Sequence, residues 1–296
     1  MHPLRTPRSC GTHDGLFHSD EVTACGLLLL FDLIDRDKIV RTRDEGLLSK
    51  CTFVCDVGGI YDPNQKLFDH HQASYDGDLS SAGMVLLYLR DQGILNPIDY
   101  QFFHDTLILG IDLDDNGRIT EQVGHCSFSD VILNFAPIHC DASTEELNAA
   151  FQAALDFALG HLTRAWERHK YTASCSEIVA QVMQSKDVCL IFERNIPWLE
   201  SFFELEGRHH PAQFILMPAG DHWKLRGIPP SYEERMQVRW PLPRSWAGLI
   251  GPALKKTTGI PGAIFCHKGR FISIWETRQD AEKALAYILA HPDERG

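Results

Sequence analysis

The segment that most constrains the fold is Thr52–Asp56, an apolar run ending in a carboxylate and followed at once by Val57, Gly58 and Gly59. A short run of apolar residues stopped by glycine reads as a buried strand, and strands of that kind belong to sheets covered on both faces. Lys38–Arg41 reads as another strand. Around these, apolar residues at three- and four-residue steps predict helices from Ser19 or Asp20 to Ile34 and from Ser80 or Ser81 to Gln92. Each opens with a Ser or Asp suited to the N-cap, and the second stops before Gly93. A third helix is expected after Pro97, ending near Gly110. Strands alternating with helices specify an α/β domain with a mostly parallel sheet flanked by helices.

A chain of 296 residues exceeds a typical single domain. Ser143 to about Gln184 is helical in pattern, with Ser143-Thr144-Glu145-Glu146 resembling a capping box, and reads as a connecting helix pair. Beyond it Val188–Phe192, Gln213–Met217, Trp223–Arg226, Ala263–Cys266 and Phe271–Trp275 read as strands, and Thr277–Leu289 as a closing helix. The expected division is a first α/β domain over 1–142, a helical connector over 143–186 and a smaller α/β or α+β domain over 187–296.

Charge is divided along the same lines. The total is −12, which argues against a protein that coats nucleic acid nonspecifically. From Arg208 to Arg270, however, ten Lys/Arg face three Asp/Glu, a local +7 that leaves −19 for the remainder. An acidic half that binds cations and a basic half that holds an anionic substrate fit this split; so does a basic surface that is merely solvated. The longest apolar run, Gly26 to Phe31, is far short of the roughly 20 residues that span a bilayer. Nine cysteines without a Cys-x-x-Cys pair favour neither a disulfide framework nor a zinc ribbon, so a reducing cytoplasm is the expected location.

Four segments concentrate His and Asp at what read as strand ends, where open α/β sheets place ligands. They are Gly11–Glu21, Asp56–Gly59, Phe68-Asp69-His70-His71-Gln72 and Gly110–Gly117. Imidazole with carboxylate suits manganese, iron or zinc better than calcium. Three carboxylates at Asp112, Asp114 and Asp115 would repel one another unless solvated or neutralised by cations. Taken singly, Asp20 could only cap a helix and Asp56 could only shape a turn. No HExxH or GxSxG run supports a peptidase.

Together the four segments resemble the DHH phosphoesterase superfamily, named for the run found here as Asp69-His70-His71, and within it the melanocyte-proliferating-gene family of metal-dependent hydrolases. The shared motifs are THDGxFHxDE (Thr12–Glu21), DVGGxYDP (Asp56–Pro63), FDHHQ (Phe68–Gln72) and IDxxDNG (Ile111–Gly117). The resemblance implies a DHH-type first domain and two divalent ions, manganese foremost, with zinc, iron or magnesium compatible. It also implies His13, His18, Asp20, Asp56, His70 and Asp112 as ligands, with Asp56 bridging. His18 stands where most of the superfamily has a carboxylate at closer spacing.

Two cations can activate a shared water and steady both the attacked phosphate and the leaving oxygen. His71 is then expected to stabilise equatorial oxygens or protonate the leaving group, with Asp69 beside it, although His71 could instead serve only as a partner for Asp69. Arg235, Arg239, His267, Lys268 and Arg270 are the candidates to grip substrate phosphates. The expected function is a two-metal phosphodiesterase or exonuclease acting on RNA or short oligonucleotides, with single-stranded RNA as a partner, no membrane, and oligomerisation left open. The competing readings are a hydrolase of dinucleotides or polyphosphate, and a metal-binding regulatory protein without turnover.

Overall fold

The computed structural model describes residues 5–120 and 122–295. The chain divides into two compact units, 1–167 and 168–296.

The first unit is built on five strands: β1 (Thr6–Thr12), β2 (Ile39–Arg41), β3 (Cys51–Cys55), β4 (Tyr61–Asp62) and β5 (Leu67–Phe68), in the order β2-β1-β3-β5-β4. All pairings are parallel except β4 with β5. Helices α1 (Ser19–Leu30), α2 (Glu45–Leu48) and α3 (Ser81–Asp91) follow β1, β2 and β5. The pleat sends Phe53 and Cys55 of β3 into the core shared with α1 and α3, while Val54 joins Leu48 and Val57 on the opposite face. That two-sided burial is why β3 is apolar from Phe53 to Cys55.

The third helix runs further than its sequence suggests. α4 (Pro97–Phe103) passes through a π-helical turn, His104–Ile108, into α5 (Leu109–Asp115), so the IDxxDNG segment is helical and does not lie at a strand end. Gly110 does not stop the helix, because buried Ile108 and Ile111 hold it to the core. The stop comes at Gly117, whose φ of 65° is the left-handed conformation common just past a helix end. α6 (Phe128–Leu133) follows.

Thr144–Val182 is one helix of 39 residues (α7), where a helix pair was expected. No proline falls between Pro137 and Pro197, and nothing else in the segment breaks the backbone ladder. Its Phe151, Leu155 and Leu162 pack in the first unit's core, and Cys175 and Val179 in a cluster of the second.

In the second unit β6 (Cys189–Ile191), α8 (Leu199–Glu204), β7 (Phe214–Ala219), β8 (His222–Gly227), α9 (Pro252–Thr258), β9 (Ala263–Cys266), β10 (Ile272–Trp275) and α10 (Arg278–Ala290) follow in order. The sheet order is β6-β7-β8-β10-β9, with only β6–β7 parallel, so this unit is α+β. Trp246 and Trp275 are fully buried with Ala281, Ala284 and Ile288 of α10, which places both rings in core packing and not on a base-stacking surface. Among the described residues no helix is long and apolar enough to cross a membrane.

Candidate metal centre

Because β1, β3 and β5 are parallel neighbours, their C-terminal ends lie side by side, and each ends one residue before a chemical group of the first three motifs: His13, Asp56 and Asp69. Asp56 takes a left-handed φ of 57°, an uncommon conformation for a residue other than glycine, and its N–H donates to Phe68 O at 2.9 Å. The turn after β3 aims its carboxylate across the strand ends.

His13 Nδ1 lies 2.9 Å from Asp14 O, so with that nitrogen protonated Nε2 faces inward. There it meets Glu21 Oε1 at 3.1 Å and Asp56 Oδ2 at 3.2 Å. On the other side of Asp56, Oδ1 is 3.4 Å from His70 Nε2 and 3.3 Å from His71 Nδ1, while His70 Nε2 is 3.0 Å from Asp115 Oδ2. Three groups could each hold a cation: His13, His18, Glu21 and Asp56; Asp56, His70 and His71; His18, Asp20 and Asp115. Asp56 and His18 each belong to two of them.

Burial here is severe. Asp20 and Glu21 are fully buried, and Asp56 is 3% exposed. Burial would lower the His13 pKa, but Asp56 and Glu21 overcome it and hold the ring up to about 10; Asp115 and Asp56 raise His70 to about 10. Burial pushes Asp56 up, yet His13 and His70 pull it down to about 2. Burial, then the charges of Asp56 and Glu21, push Asp20 well above the carboxylate range. Both Asp20 oxygens, Asp56 Oδ1 and His70 Nε2 are buried with no hydrogen-bond partner. Buried polar atoms are almost always satisfied, and divalent cations held by these groups would satisfy them. The ligand set therefore fits divalent metal.

Asp69 is engaged differently. Its Oδ2 accepts from Gly59 N at 2.6 Å, and its Oδ1 accepts from His71 N at 3.1 Å and lies 2.8 Å from His71 Nδ1. It fixes the His71 ring, whose side chain remains 64% exposed in the cleft.

The three groups contain Glu21 and Asp115, which sequence reading did not name as ligands, and do not contain Asp112. Asp112 Oδ1 accepts from Ser80 N at 3.0 Å and Ser80 Oγ at 2.6 Å, at the start of α3, while its Oδ2 is buried with no hydrogen-bond partner; Asp112 joins none of the three groups. A Cβ at Gly83 would fall 2.3 Å from Asp112 Oδ2, so the helix needs glycine there to accept this carboxylate. Glu21 and Asp115 both stand inside the quoted motifs.

Of the basic candidates, Arg239 is structural. Its guanidinium donates to the carbonyls of His210 (2.8 Å), Ala212 (3.0 Å) and Gly207 (2.7 Å), which takes it out of the set available to a phosphate. Arg239→Ala should therefore destabilise the second unit by about 2–4 kcal/mol, seen as a lower thermal midpoint, without changing metal content. Arg235 is exposed and lies 3.9 Å over the Tyr232 ring. His267, Lys268 and Arg270 share the turn between β9 and β10, where His267 Nδ1 accepts from Gly269 N at 2.9 Å and Arg270 has a φ of 58°.

A family model named MYG1_exonuc, described as "Uncharacterised protein family (UPF0160)", matches residues 9–287. The chain is 52% identical to the MYG1 protein of Chlamydia muridarum over 97% of this chain and 98% of that one. It is 30% identical to human MYG1 exonuclease over 97% of this chain and 87% of that one. Among solved structures, RecJ from Thermus thermophilus aligns over 97% of this chain and 50% of that chain at 10% identity, with a TM-score of 0.30, too loose a match to add to the assignment. A family match over nearly the whole length, on the motifs that build the metal centre, places this chain in the MYG1 family.

Proposed function

We propose that this chain is a metal-dependent phosphodiesterase of exonuclease type, acting on RNA or short oligonucleotides with two divalent ions, manganese foremost. The observation that carries this reading is the set of buried, unpartnered atoms on Asp20, Asp56 and His70, which has no use in a metal-free protein. The human relative's name, MYG1 exonuclease, supports the reaction class.

The residues to hold the ions are His13, His18, Asp20, Glu21, Asp56, His70 and Asp115. Bound there, the ions would supply Lewis acidity toward a phosphate and an activated water. The chain's own contribution is positioning: Asp69 holds His71 at the cleft, where its ring can donate to a phosphate oxygen or to the leaving group. His71→Ala should then lower kcat by about 10²–10⁴-fold while metal content stays intact. Loss of metal together with activity would assign His71 to the ligands instead.

The turn carrying His267, Lys268 and Arg270 supplies cations suited to substrate phosphates. The test of the function is hydrolysis of single-stranded RNA of graded length, alongside dinucleotides and polyphosphate, with manganese, magnesium, zinc or EDTA. Metal-dependent shortening of RNA is the expected result. Preference for dinucleotide or polyphosphate would redirect the substrate, and absence of turnover on every phosphodiester would overturn the reading.

A further inference from the structure

The second unit contains a polar pocket of about 300 Å³ that the metal chemistry does not use. Strand alternation along β8 creates it. Trp223 and Leu225 turn toward the core beneath α10, so Lys224 and Arg226 project from the opposite face. Across the sheet, Lys224 pairs with Met217 and Ile274, and Arg226 with Ile215 and Ile272. Ile215 and Met217 belong to a buried apolar cluster with Ile196 and Trp198, which also line the pocket. Two cations on a sheet face otherwise given to apolar packing are costly unless an anion meets them.

Their surroundings leave that requirement open. Burial pushes the Lys224 pKa down and the charge of Arg226 pushes it further, while burial alone lowers Arg226. Lys224 Nζ donates to the neutral Asn195 Oδ1 at 2.8 Å, and Arg226 Nε is buried without a hydrogen-bond partner. Arg235 reaches the same pocket, its guanidinium fixed over Tyr232 and its Nε donating to Tyr232 O at 3.0 Å. Glu200 is the one carboxylate among the lining side chains, and it is exposed.

We propose that the pocket framed by Lys224, Arg226 and Arg235 binds the phosphate of a phosphate ester, in a site built from residues of the second unit alone. Guanidinium forks match phosphate oxygens, and the volume, at the lower end of small-ligand sites, leaves room for the esterified group.

Titration calorimetry on the full-length protein in EDTA, which keeps metal out of the binding, tests this with inorganic phosphate and with a 5′-phosphorylated dinucleotide. Both should bind, the dinucleotide more tightly. Lys224→Met and Arg235→Gln should each weaken both by about tenfold or more, as loss of a charge-assisted contact requires, and Asp56→Ala should change neither. Arg226→Met should weaken them most; if it fails to fold, the two more exposed substitutions still decide. No binding at millimolar concentration, or binding untouched by Lys224→Met and Arg235→Gln, overturns the proposal. Binding of inorganic phosphate but not of the dinucleotide overturns the ester assignment. Because metal is excluded, these outcomes are independent of whether the metal centre hydrolyses RNA.

Discussion

Asp56→Ala is expected to remove metal from the protein and lower turnover by roughly 10³-fold, about 4 kcal/mol of transition-state stabilisation. The reason is position. Asp56 Oδ2 faces His13 and its Oδ1 faces His70 and His71, so one carboxylate serves two of the three candidate ligand groups. The comparison is Asp114→Ala, between Asp112 and Asp115 in sequence but a member of no ligand group, which should stay within about twofold of the parent. Metal content by elemental analysis and turnover on a phosphodiester, measured on both variants, decide the matter; an Asp56→Ala protein that still holds its metal would remove Asp56 from the bridging role.

How much of this was readable beforehand depended on which residues a rule could reach. The strand ends were legible because β3 announces itself through an apolar run halted by glycine, and parallel neighbours must bring their ends together. The choice of His13, Asp56 and His70 as ligands came from the resemblance of the motifs they stand in. Asp112 came from the same resemblance, and its segment proves to be helical where a strand end was expected. Once Ile111–Asp115 is a helix, the choice between two carboxylates three residues apart is set by helix rotation, which is fixed by burial of Ile108 and Ile111 and by Ser80 capturing Asp112. No local pattern encodes a contact with a residue so distant in sequence.

The basic half shows the same limit from the other side. A count of charges finds Arg239, Arg226 and Arg270 equally eligible, yet their fates differ with the backbone around them. Arg239 is surrounded by three carbonyls and Arg226 by an apolar sheet face. Carbonyls exposed by irregular backbone, as between Gly207 and Ala212, attract a guanidinium as strongly as a ligand would, and only the fold reveals where such backbone lies.

The substitutions Asp115→Ala and Asp112→Ala separate the two acids, and they should fail in different ways. Asp115 Oδ2 approaches His70 Nε2 at 3.0 Å and shares a ligand group with His18 and Asp20, whose carboxylate oxygens have no other partner. Asp115→Ala should therefore cost about 10²–10³-fold in activity together with metal affinity, while the fold persists, since α5 is held by apolar contacts that the change leaves alone. Asp112→Ala removes the acceptor of Ser80 N and Oγ, leaving two buried donors at the start of α3 unsatisfied, an expected loss of about 1–3 kcal/mol in stability. Its activity per folded molecule should stay near the parent's, because α3 supplies none of the candidate ligands. Thermal midpoints and metal titrations on the same preparations read both effects. If Asp112→Ala instead loses metal at unchanged stability, the fourth motif binds through Asp112, and the rotation of α5 in the metal-loaded protein must differ from the one that places Asp115 beside His70.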